Sequence, residues 1–155
     1  MGLFRDIIRE HEKREVEKVE KLKTSKERWR TEEEKNIQKW EEYIRDILIP
    51  MLREAKADLH GFSYYSAISE YPPILSSYGK SHPGSIEFIV DMSKRSEVTF
   101  PFKAYLIFTR SSKNTITVSK IIKNVVVPGT HDIHYEDGAR SVEHEIKEFI
   151  KKVYP

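Results

Sequence analysis

The amino-acid sequence predicts an α+β chain: a long N-terminal helix or helical hairpin, an antiparallel meander of four or five strands, and a C-terminal amphipathic helix packed on the sheet. Three observations carry this. Residues 3–57 hold strong helix formers, with no proline before Pro50 and no glycine after Gly2. Residues 85–136 alternate apolar and polar side chains between short turns, the period of strands. Val142, Ile146, Phe149, Ile150 and Val153 then return to helical spacing.

The first element has one apolar stripe in alternating charge. With about 100° per residue, Phe4, Ile8, Val16, Val19, Leu22, Trp29, Ile37, Trp40, Ile44, Ile47, Leu48, Met51 and Ala55 share an arc of roughly 140°. Such a stripe must lie on a body or on another chain. Thr31-Glu32-Glu33-Glu34 has the form of a helix start with acids in its first turn, and Thr24-Ser25-Lys26-Glu27 is a weaker copy. A hairpin broken between residues 24 and 31 and one continuous helix are therefore both open. Ile37, Trp40, Ile44, Ile47 and Met51 follow strict 3-4 spacing, but only for about two heptads, so residues 37–55 are expected to pack on the core. Pro50 either kinks this helix or opens a new turn.

Composition sets the organisation: a charged helical arm over 1–57 and an α+β domain over 58–155, the end of the arm forming one structural unit with that domain. Phe62 to Ile68 is expected as a strand, and Tyr71-Pro72-Pro73 to Ser81-His82-Pro83-Gly84 as a long loop. Ile86, Phe88, Val90 and Met92 mark one strand, and Phe102, Ala104, Leu106 and Phe108 the next. After the turn Ser111-Ser112-Lys113-Asn114, Ile116 and Val118 share a face that Ile121 and Val125 leave, which suggests a bulge near Ser119-Lys120 or a strand that ends and resumes. Pro128-Gly129 turns the chain into a short strand, His131 to Glu136. The last helix is expected from Ala139 to Lys152, capped by Asp137 or Ser141. Ile89, Tyr105 and Ile107 lie opposite the main apolar set and also call for cover.

Several function classes are excluded or disfavoured. The chain has no cysteine, so disulfides, thiol nucleophiles and thiolate metal sites are absent. No apolar run approaches the ~18 residues of a membrane span, and a cytoplasmic location is the expectation. No G-x-S-x-G, G-x-G-x-x-G or P-loop occurs, so no catalytic residue is assigned and no cofactor is expected.

Three readings of function remain. The first is a non-enzymatic interaction or scaffold module, joining a partner protein or a second copy through the arm, with Trp29, Trp40, Ile44 and Ile47 as anchors. The second is nucleic-acid binding: residues 92–128 carry seven cations against the single anion Glu97, a net +6. Lys94, Arg95, Lys103, Arg110, Lys120 and Lys123, with Tyr105 to stack a base, are the candidates there. The third is a metal-dependent hydrolase, since Asp132, His134 and Glu136 would line one side of a strand as an acid–imidazole–acid row. Tyr64, Tyr65, Tyr71 and Tyr78 beside Pro72-Pro73 form a further aromatic segment, either a recognition loop or a cap on the core.

Overall fold

The computed structural model describes residues 2–75, 81–111 and 114–155. It divides into two compact units, Met1–Gln38 and Lys39–Pro155.

The run of helix formers produces α1 (Arg5–Tyr43) as one helix, and the hairpin alternative is overturned. The two threonines that resemble helix starts sit inside it. Each hydroxyl donates to the carbonyl four residues earlier, Thr24 to Glu20 and Thr31 to Glu27, both at 2.9 Å. A helix interior satisfies a threonine in this way without a cap.

Pro50 opens a new turn: it lies in the first turn of α2 (Ile49–Gly61), which follows a π-turn, Ile44–Leu48. The Ile49 N–H donates to the Ile44 carbonyl, five residues back. Pro50 has no N–H, and in a plain α-helix its ring would crowd the carbonyl four residues earlier. One extra residue in the turn opens that spacing. The register moves with it. The buried positions run Trp40, Tyr43, Leu48, Leu52, Ala55 and Leu59, and the five-residue step from Tyr43 to Leu48 spans the π-turn. Ile44, Ile47 and Met51, which strict 3-4 spacing had centred, are half-buried beside this face.

The expected strand at Phe62 starts later because residues 62–64 close the helix. The Phe62 and Tyr64 N–H groups donate to Leu59, and that of Ser63, at φ +67°, donates to His60. The strands are β1 (Ser66–Tyr71), β2 (Ser85–Asp91), β3 (Lys103–Arg110), β4 (Thr115–Ile122), β5 (Val125–Val126) and β6 (His131–His134). They form an antiparallel meander in the order β1-β2-β3-β4-β5, with β6 also paired to β4. Between β1 and β2, Ile74 and His82 make a small bridge; Tyr78 lies outside the described residues, as do Ser112 and Lys113 of the β3–β4 turn.

β4 is unbroken, so the bulge expected near Ser119-Lys120 is not in that strand. Ile121 leaves the core face by ordinary alternation. The interruption is on the neighbouring edge, where Pro128-Gly129 separates β5 from β6 and both pair with β4. Proline cannot donate to a ladder, so pairing lapses there. Lys123 and Asn124, at φ +52° and +64°, make the two-residue turn from β4 to β5.

Ile86, Phe88, Val90, Ala104, Leu106, Phe108, Ile116, Val118 and Ile133 form the inner sheet face. α2 and α3 (Gly138–Val153) pack there, with the Phe88 and Phe149 rings edge-on at 6.4 Å. Burying each such side chain contributes about 2–3 kcal/mol. Asp137 precedes α3 without a side-chain cap; its carboxylate instead accepts the His134 N–H at 3.2 Å, inside a 3₁₀ turn, Tyr135–Asp137.

Candidate interaction surfaces

In the first unit, residues 2–32 are all exposed. The apolar side chains among them, including Phe4, Ile8, Val16, Val19, Leu22 and Trp29, are 57–69% exposed, with Leu3 and Ile7 adding to the patch. The ion pairs between them, such as Arg14–Glu10 at 3.8 Å and Arg30–Glu34 at 3.3 Å, are solvated and contribute little. An aligned apolar series on an otherwise charged helix is the composition of a contact surface.

The four side chains singled out as anchors separate. Trp29 is exposed. Trp40 is 1% exposed within the core of the second unit, and Ile44 and Ile47 pack against that core. A side chain without surface cannot touch a partner, so Trp40 serves the chain's own packing.

Among the described residues, the cations of residues 92–128 are spread over both sheet faces and the turns beside them. Arg110 and Lys120 project to the inner face: the Arg110 Nε–H donates to the Pro83 carbonyl at 2.6 Å, and Lys120 pairs with Glu145 at 3.2 Å. His131 reaches the same carboxylate at 3.1 Å. The Lys120–Glu145 pair is buried, and each lies on an otherwise apolar face of its element. Lys103 and Tyr105 are on the outer face, and Lys123 is in a turn. Asp91, 1% exposed, draws in Arg95 at 3.3 Å and Lys103 at 3.8 Å. Arg95 also lies over the Tyr65 ring at 4.6 Å, and Lys94 over Tyr64 at 5.5 Å. The aromatic segment and two of the sequence-named cations therefore meet at one corner, a juxtaposition that the sequence left separate.

The Asp132–His134–Glu136 row does not form. β6 ends at His134, and Glu136 falls in the 3₁₀ turn. The Asp132 carboxylate accepts from the Thr117 hydroxyl at 2.9 Å. Among the described residues no group of three or more His, Asp or Glu is placed to hold a metal.

Two further surfaces belong to the second unit. A groove of about 440 Å³ runs between α2 and α3, with Met51, Leu59, Phe62, Ile146 and Ile150 in its walls and Glu54, Asp58, Glu143 and Lys147 around it. The Glu143–Lys147 hydrogen bond at 2.8 Å holds the Glu143 carboxyl below its ordinary range and the Lys147 ammonium above its own. The outer sheet face carries a row across five strands, Ala67, Ile89, Tyr105, Ile121 and Val126, paired in register. Ile89, Tyr105 and Ile107 are half-exposed on it.

Three tyrosines are shifted alike. Burial raises Tyr43, Tyr135 and Tyr154 to about 12, helped at Tyr43 by Tyr135 and Asp137, and at Tyr154 by Tyr64 and Asp91. The Tyr43 hydroxyl donates to the Gly138 carbonyl and that of Tyr154 to the Asp91 carbonyl. No helix is long and apolar enough to cross a membrane among the described residues. Comparison with protein-family models, curated proteins and solved structures returns no match.

Proposed function

We propose that the chain is an interaction module that self-associates through the first part of α1. The carrying observation is the exposed apolar stripe from Phe4 to Trp29. Within it, Ile8, Glu12, Glu15, Val19, Leu22, Lys26 and Trp29 alternate steps of four and three, the spacing of a two-helix seam. Laying two copies antiparallel about a point between residues 20 and 21 sets Val19 against Leu22. The same register sets Glu15 against Lys26. Trp29 then falls opposite Glu12 and Ile8 opposite Glu33, so it is the central Val19–Leu22 and Glu15–Lys26 pairs that support a second copy as the occupant. Three polar positions in seven make the seam weak, so dimerisation should depend on concentration.

Size-exclusion chromatography with light scattering tests this. The chain is expected to move from monomer towards dimer as concentration rises. Leu22→Asp should hold it monomeric with an unchanged circular-dichroism spectrum, because Leu22 is exposed. Glu15→Lys should weaken the dimer about tenfold, or about 1.4 kcal/mol, and adding Lys26→Glu should restore it. A monomer at every concentration up to about millimolar, or a species that grows only when an oligonucleotide is added, would overturn the proposal.

A further inference from the structure

Where α2 hands over to β1, the turn through Ser63 encloses a cleft of about 390 Å³, lined chiefly by Arg53, Lys56, His60, Tyr64, Tyr65 and Ser66. Arg53, Lys56 and His60 are three and four residues apart and so share one stripe of the helix. No carboxylate lines the cleft, and among the described residues neither the two cations, Arg53 and Lys56, nor His60 is engaged in an ion pair. Helix C-termini favour cations, because the last carbonyls are left with partial negative charge. That accounts for Lys56 and His60 near Gly61. It does not account for Ser66, which is 4% exposed and whose hydroxyl has no hydrogen-bond partner. An unpartnered buried hydroxyl costs about 1–3 kcal/mol. Two further cations stand over the tyrosines, Lys94 and Arg95; the second is already shared with Asp91.

We propose that this cleft binds a small organic phosphate. The phosphoryl group lies between Arg53, Lys56 and His60, where a dianion matches two unpaired cations better than a singly charged carboxylate does, and the imidazole offers a further N–H. The Ser66 side chain, whose hydroxyl is sealed from solvent in the free chain, turns onto the phosphoryl group as the neutral donor. The organic part rests against the exposed Tyr65 ring, beside Tyr64, which itself packs on Tyr154 at 4.4 Å. No chemistry is performed on the ligand; the site is one for recognition. It is independent of any association through α1.

Isothermal titration and NMR at fixed ionic strength, with phenyl phosphate and with inorganic phosphate as probes, decide the matter. Phenyl phosphate is expected to saturate, to shift the Tyr64 and Tyr65 ring resonances, and to bind about tenfold tighter than inorganic phosphate. Arg53→Glu and Lys56→Glu, both on exposed helix positions, should each weaken it about tenfold while the circular-dichroism spectrum holds. Tyr65→Ala should narrow the gap between the two probes. Non-saturating shifts spread over surface lysines would overturn the proposal, as would equal binding of both probes unaffected by the charge reversals. Affinity for an oligonucleotide that rises with strand length, without saturable phenyl phosphate binding, would also overturn it and assign these cations to a polymer.

Discussion

Gly84 shows how narrowly one position is specified. Its φ is +99°, and a Cβ there would stand 2.9 Å from the Pro73 ring and 3.0 Å from Trp40 Nε1. Both the backbone and the neighbours demand glycine. Gly84→Ala is expected to destabilise the chain by about 2–3 kcal/mol in urea unfolding, and a change under about 0.5 kcal/mol would mean that the turn relaxes freely. Residue-level roles were legible only where spacing decided them. Trp29 and Trp40 occupy the same stripe, yet one is solvated and the other is core, and only the dense 3-4 run that Trp40 shares with Ile37, Ile44, Ile47 and Met51 sets them apart. Lys120 and Glu145 did leave a signal. Lys120 continues the parity of Ile116 and Val118, and Glu145 sits three residues after Val142, so each charge marks an apolar face. Read together, those two breaks identify a buried ion pair rather than a solvated edge. The cleft at Arg53 was hidden because its cations lie on a helix and its tyrosines beyond the helix end, and only the turn at Ser63 joins them.

Among the elements, the terminal helix and the strands β2 and β3 were readable directly, since two-fold and 3.6-fold periods there coincide with burial. The π-turn was not. Strict 3-4 spacing through Ile44, Ile47 and Met51 competes with the buried series through Tyr43 and Leu48, and Pro50 decides between them by excluding the plain helix. Removal of one residue tests this. Deleting Asp46 together with Pro50→Ala changes the Tyr43–Leu48 step from five to four and suits an ordinary α-helix. That variant is expected to fold with a loss of no more than about 1–2 kcal/mol. Deleting Asp46 alone returns proline to a plain helix and is expected to cost about 3 kcal/mol. Equal stability of the two variants by thermal melting would count against the proline as the cause. The β4 bulge was expected for a simpler reason: Ile121 is an apolar residue that turns to the outer face by ordinary alternation, while Lys120 keeps the inner parity, so β4 carries no break.

At the scale of the molecule, the buried phenols set an alkaline limit. Tyr43, Tyr135 and Tyr154 ionise near 12 in the fold against about 10 when exposed. Their contribution is therefore complete below pH 10 and is lost between pH 10 and 12, as the unfolded chain releases these protons first. For Tyr43 alone the loss is on the order of 2–3 kcal/mol. Urea unfolding is expected to show stability falling across that window, and Tyr43→Phe should flatten part of the slope. A profile identical to the parent's would remove Tyr43 from the account. The fold class and strand order followed from local patterns, whereas function did not, because surface patches arise from residues far apart in sequence.

The split margin formed by β5 and β6 has one more effect. Val125 and Val126 are exposed there, yet the paired stretch is two residues long and a proline, Pro128, follows two residues later. A frayed border of that kind offers no continuous template for another strand to zip onto. Strand-to-strand growth between copies is therefore disfavoured along this margin of the sheet.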